Sequence, residues 1–169
     1  MTGFATRLSI LALAALPAAC TTYGPQGYPP GTRAETVMQG MGAPTGEYPL
    51  PGGGRRLEYA RGPFARHTYM LDFDTAGQLV RFEQVLTEAR FNAIKAGMSA
   101  QQVREQIGRP STTWPIPRQH QLVWSYRYES PFCQWFMVGM GPGDQVVDTA
   151  YGPDPVCDDD HFFDRLRFR

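Results

Sequence analysis

Between residues 121 and 151 the chain alternates between apolar and polar positions. In "QLVWSYRY", Leu122, Trp124, Tyr126 and Tyr128 fall on one side of an extended backbone, as a strand with one buried face requires. "FCQWFMVGM" follows and is apolar on both sides: Phe136 and Val138 point one way, Trp135 and Met137 the other. "GPGD" then reads as a turn and "QVVDTAY" as a third strand. Strands joined by short turns pair antiparallel, so the pattern predicts a three-stranded meander. The same grammar occurs earlier, in "RRLEYAR", "RHTYMLDF" and "GQLVRFEQVL", with "DTAG" as the turn. Between the two sets the period changes from two to between three and four. Thr87 can cap a helix carrying Phe91 and Ile94, and Gly97 stops it. Ser99 opens the next with Gln102 three residues on, the spacing of a capping box. Val103 and Ile107 form its buried stripe, Gly108 ends it and Pro110 forbids resumption.

The two sets are copies. Residues 31–51, "GTRAETVMQGMGAPTGEYPLP", align with 97–117, "GMSAQQVREQIGRPSTTWPIP", at an offset of 66. They share Gly31/Gly97, Ala34/Ala100, Val37/Val103, Gly42/Gly108, Pro44/Pro110, Pro49/Pro115 and Pro51/Pro117, with Tyr48 opposite Trp114. The register then slips, yet "GPFARHTYMLDF" still shadows "SPFCQWFMVGM". An internal duplication fixes the architecture before any other argument. Each copy is too small for a comfortable core of its own, which predicts one cooperative body.

Composition places the chain among folded proteins: 169 residues, 42% hydrophobic and 19% charged. Lys+Arg and Asp+Glu are equal at 16 each, leaving no electrostatic footprint for nucleic acid. The N-terminus reads as an export signal: "MTGFATR", then the short apolar "LSILALAALPAA". It ends in "LPAAC", which resembles a bacterial lipobox with Pro17 at the usual Leu place and Leu16 one further back. The resemblance implies lipid on Cys20, and Thr21 after it is compatible with delivery to the outer membrane, the domain facing the periplasm. Three cysteines in an exported chain leave one unpaired, so with Cys20 lipidated, Cys133 and Cys157 are expected to form a disulfide. Residues 21–31, "TTYGPQGYPPG", contain no aliphatic side chain and read as an extended spacer of ~30 Å. The expected organisation is a signal peptide over 1–19, the lipidated Cys and tether over 20–31, a first unit over 32–86, a second over 87–157 and a tail over 158–169.

Catalytic chemistry has no signature. His67, His120 and His161 are scattered, and the serines lack a partnered histidine nearby in sequence. "CDDDH" at 157–161 reads as a solvated acidic run, and "GGG" at 52–54 as a turn with no phosphate cradle. No cofactor and no metal are expected. The tail "HFFDRLRFR" is amphipathic if helical, fit to dock back on a sheet or to touch a partner.

Phe91, Ile94, Gly97, Met98, Val103, Gly108 and Pro110, followed by "LVWSYRY", resemble the SmpA/OmlA (BamE-like) lipoprotein family over roughly 87–151, and more weakly over 31–86. The tandem arrangement also resembles β-lactamase inhibitory protein. The family resemblance implies an α+β fold of two tandem units, each with one or two short helices packed on a three-stranded antiparallel meander. It implies a non-catalytic, outer-membrane-anchored module that binds an envelope protein, with barrel-assembly machinery the first partner to test. The alternative is a periplasmic inhibitor or ligand-binding protein acting on a secreted enzyme. Helices can cover only one face of a meander, so Trp135 and Met137 on the other are the expected partner surface.

Overall fold

The structure is a computed structural model that describes residues 23–157. Cys20, His161 and the 158–169 tail lie outside the described residues. The elements run α1 (Ala34–Met41), β1 (Gly46–Pro49), β2 (Arg55–Ala60), β3 (Thr68–Phe73), β4 (Leu79–Gln84), α2 (Glu88–Phe91), α3 (Ala100–Ile107), β5 (Thr112–Ile116), β6 (Gln121–Arg127), β7 (Gln134–Gly141) and β8 (Gln145–Pro153). They form two four-stranded antiparallel sheets, ordered β1-β2-β3-β4 and β5-β6-β7-β8.

This corrects the expected fold class. Each sheet has four strands and not three, so the BamE-like unit of helices on a three-stranded meander does not describe this chain. The extra strands are "GEYP" and "TTWPI", whose prolines read as linker in the sequence. Both are edge strands, the one place where a sheet tolerates proline. The Leu50 N–H donates to the Gly54 carbonyl, so the alternation turns the neighbouring Pro49 outward, where no donor is needed.

The helix signals act as their chemistry dictates, with one correction: α2 ends at Phe91 with Asn92 as its C-cap, so Ile94 lies beyond it and Gly97, at φ 87°, sits in a later turn instead of stopping it. The Thr87 side chain accepts from the Arg90 N–H, and Ser99 and Gln102 form both halves of the capping box. Gly108 ends α3 at φ 78°, a left-handed value that favours glycine. A Cβ on Gly108 would also lie 2.9 Å from Thr68 Cγ2 and 3.1 Å from Glu58 Cδ, so only glycine lets this helix end approach the first sheet.

The layers follow. Helix α1 places Ala34, Val37 and Met41 on Leu57, Tyr59, Leu71 and Phe73 of sheet one. Helices α2 and α3 place Phe91, Val103 and Ile107 on Trp124, Tyr126, Phe136 and Val138 of sheet two. The other side of α3 rests on the second face of sheet one, where Arg56 Nη1 donates to the Glu105 carbonyl and the Arg109 N–H to Glu58. One helix layer thus serves both sheets, and the order is α1, sheet one, α2/α3, sheet two.

Residues 23–31 differ from the expected spacer. Pro25 is buried, and Tyr23 and Tyr28 pack against the core of unit one. Aromatic rings supply the apolar area that the missing aliphatic side chains do not.

Cys133 and Cys157 are joined by a disulfide with Cα atoms 6.3 Å apart. It closes a sequence separation of 24, which constrains the unfolded chain by about 3 kcal/mol. Reduction should lower the unfolding free energy by about that amount in a denaturant titration. A Cys133→Ala/Cys157→Ala variant should be indifferent to reductant.

Candidate functional site

Sheet two has one face on α2 and α3. Its outer face carries Trp114, Val123, Ser125, Arg127, Trp135 and Met137, which register pairing places side by side: Trp114 opposite Val123, Ser125 opposite Met137 and Arg127 opposite Trp135. Val123, Ser125 and Arg127 on this face are buried, at 7%, 0% and 8% exposure. The face shields itself in part. The Trp114 ring stacks on Trp135 with centroids 5.0 Å apart and 26° between planes, leaving Trp135 only 7% exposed. Gly152 makes room for this layer, since a Cβ there would meet Met137 Cε at 2.7 Å. Trp114 and Met137 remain half-buried, and Ala150 beside Met137 is exposed.

Arg127 organises one end of the face. Its guanidinium donates to both oxygens of Asp154, at 2.6 and 2.9 Å, and to the Pro63 carbonyl of unit one. It lies 5.3 Å from the centroids of both Phe64 and Trp135. The Asp154 N–H donates to the Cys133 carbonyl, so the disulfide, the buried ion pair and the hairpin tip of unit one form a connected support. Two hairpin tips meet here, 61–67 and 128–133. Glu129 faces Arg66 at 3.8 Å and His67 at 3.9 Å. Phe64 and Phe132 occupy equivalent places in the two copies and stand 73% and 78% exposed.

The equivalent face of sheet one has the opposite character. In the places of Trp114, Val123, Ser125 and Met137 it carries Tyr48, Arg56, Glu58 and Met70, and α3 covers it. Glu58 is fully buried and accepts from Thr45 Oγ1 at 3.1 Å, Tyr48 Oη at 2.6 Å and the Arg109 N–H at 3.1 Å. Burial and then the adjacent Glu58 carboxylate push the Tyr48 phenol well above its ordinary range. Ser125, in the place of Glu58, is fully buried, and its Oγ has no hydrogen-bond partner among the described residues.

Sequence pattern placed Trp135 and Met137 on this outer face. It missed Trp114, which the repeat had aligned with Tyr48, and it missed Arg127, Asp154 and the phenylalanine tips. His67 stacks near Tyr69, while exposed His120 sits in a left-handed turn at φ 51° between β5 and β6. Among the described residues no group of three His, Cys, Asp or Glu side chains is arranged to hold a metal.

No protein-family model matches the chain, and the comparison with curated proteins finds no match. Among solved structures it is similar to a DUF4309 family protein, YjgB, from Bacillus subtilis, at 12% identity and TM-score 0.29, covering 73% of this chain and 79% of that one. It is also similar to a candidate beta-lactamase inhibitor protein from Streptococcus mutans, at 12% identity and TM-score 0.32, covering 72% and 83%. A third likeness, at 11% identity and TM-score 0.29, is to an extracellular protein containing a SCP domain from Bacillus anthracis, covering 73% of this chain and 44% of that one. The four-stranded sheets, together with the absence of any matching family model, overturn the resemblance to the SmpA/OmlA family drawn from the helix motif.

Proposed function

We propose that this chain is a non-catalytic protein-binding module of the bacterial envelope, held to the outer membrane by lipid on Cys20 with its domain in the periplasm. Its partner is a folded exported enzyme whose activity it restrains. The observation that carries the reading is the inequality of two equivalent faces. In unit one the face is polar and receives a helix end, whose backbone N–H reaches Glu58. In unit two the same positions carry Trp114, Val123, Ser125 and Met137; Trp114 and Met137 are half-buried, and Ser125 Oγ is buried without a hydrogen-bond partner among the described residues. An apolar sheet face flanked by aromatic rings suits a protein surface. Stapled by the disulfide and the Arg127–Asp154 pair, it loses little freedom on binding, an advantage for a tight rigid-body binder. Barrel assembly was implied only by the family resemblance and leaves with it.

A photoreactive residue replacing Met137 in living cells, with the adducts identified by mass spectrometry, tests this. The expected adduct is an exported enzyme, inhibited in vitro by the purified protein, with Trp114→Ala weakening inhibition about 30-fold as for a central aromatic anchor. Adducts confined to integral outer-membrane proteins, or an enzyme partner whose activity is unchanged, would contradict it.

A further inference from the structure

The docked N-terminal segment fixes where a lipid anchor would hold the molecule. Tyr23 Oη donates to the Met41 carbonyl at 3.2 Å, and the Arg61 guanidinium covers the Tyr23 ring at 3.4 Å from its centroid. Gln26 Nε2 donates to Tyr69 Oη at 3.4 Å. Arg61 leaves β2 and Tyr69 lies in β3, so the chain joins the fold at the base of the 61–67 hairpin tip. The 128–133 tip lies beside it through Arg127 and Glu129. Cys20 and Tyr23 are three residues apart, a span of at most about 11 Å. That end of the molecule also carries the two most exposed large apolar side chains among the described residues, Phe132 and Phe64, together with Arg61, Arg66 and the Glu129 that faces Arg66.

We propose that this end rests on the lipid bilayer. The Phe64 and Phe132 rings enter the interfacial layer, Arg61 and Arg66 lie at the headgroups, and the domain stands on its hairpin tips instead of hanging from a long tether. Aromatic rings on rigid loops suit the boundary between headgroups and acyl chains, and arginine beside them suits anionic headgroups. A lipid anchor fixes the chain to the bilayer but not its orientation, and a second, weaker contact through the tips supplies that. The strands of sheet two run away from their tip, so half-buried Trp114 and Met137 and exposed Ala150 on its outer face would look sideways, toward a soluble partner. The placement rests on lipidation at Cys20, part of the function proposed above.

The test uses the full lipidated protein in vesicles of phosphatidylethanolamine and phosphatidylglycerol, with benzoylphenylalanine replacing Phe64, Phe132 or Val147 in separate variants. Val147 is exposed near the turn at the opposite end of β7 and β8. Phospholipid adducts at 64 and 132 should exceed those at 147 by at least tenfold. Labelled palmitate, followed in the same samples, reads the anchor separately. Palmitate present with equal lipid labelling at all three positions, or with adducts only to protein at 64 and 132, overturns the placement alone. Absence of palmitate overturns the anchor and the placement together.

Discussion

Phe91→Ala should destabilise the protein by about 3–5 kcal/mol, the cost of a large cavity in a packed core. Phe91 is fully buried at the end of the single-turn helix α2 and touches rings on three strands. It stacks on Phe136 at 4.5 Å between centroids, meets Tyr128 edge-on at 5.1 Å, and lies 6.4 Å from both Tyr126 and Tyr151. Four aromatic neighbours held by hydrogen-bonded strands cannot collapse into the space. Tyr126 is tied further by its hydroxyl, which donates to the Gly108 carbonyl. Phe132→Ala removes the same side chain from an exposed tip and should change stability by no more than about 0.5 kcal/mol. Urea titrations of the two variants check the contrast. A loss below about 1.5 kcal/mol for Phe91→Ala would mean that α2 does not close this core.

How far the sequence revealed the molecule depends on the range of each interaction. The caps at Thr87 and Ser99 and the stop at Gly108 are decided within a few residues, and the structure has them where the residues point. Strand alternation placed Trp135 and Met137 on one face because side chains alternate whatever the sheet does. The edge strands escaped because proline was read as a breaker, although an edge leaves one side of the backbone unpaired. The docking of Tyr23 and Tyr28 escaped because only aliphatic residues were counted as core. Arg127 and Asp154 lie 27 residues apart, and their pairing depends on a chain reversal that no local pattern encodes. The repeat held the most information: it aligned Tyr48 with Trp114, and the contrast between those positions marks the candidate face.

The second large effect is expected at the joint between the units. Each has its own apolar core, and the layer between them is polar. It rests on Glu58 receiving the Arg109 N–H, on Arg56 reaching the Glu105 carbonyl, and on Arg90 paired with Glu83 at 2.8 Å. Asp72 orients Arg56 and also holds Arg81. Burial alone would raise the Asp72 carboxyl, but its hydrogen bonds and charge pairing with both guanidiniums outweigh this and hold it below the ordinary range. A depressed folded value gives stability that is complete above the unfolded value near pH 4 and is lost as pH falls through the folded one. The joint should therefore loosen in acid. Glu58→Ala attacks it directly, leaving the Arg109 N–H and the Tyr48 hydroxyl without their acceptor, while Thr45 keeps the residue 58 carbonyl, at a cost of about 2–4 kcal/mol. Glu58→Gln keeps an acceptor for the backbone N–H and should cost about 1 kcal/mol. In calorimetry the wild type should melt in one transition and Glu58→Ala in two, because separate cores remain after the coupling between them is cut. Two transitions in the wild type would show that the units are independent already; one transition in Glu58→Ala, merely shifted, would place the coupling in the apolar contacts and not in this buried carboxylate.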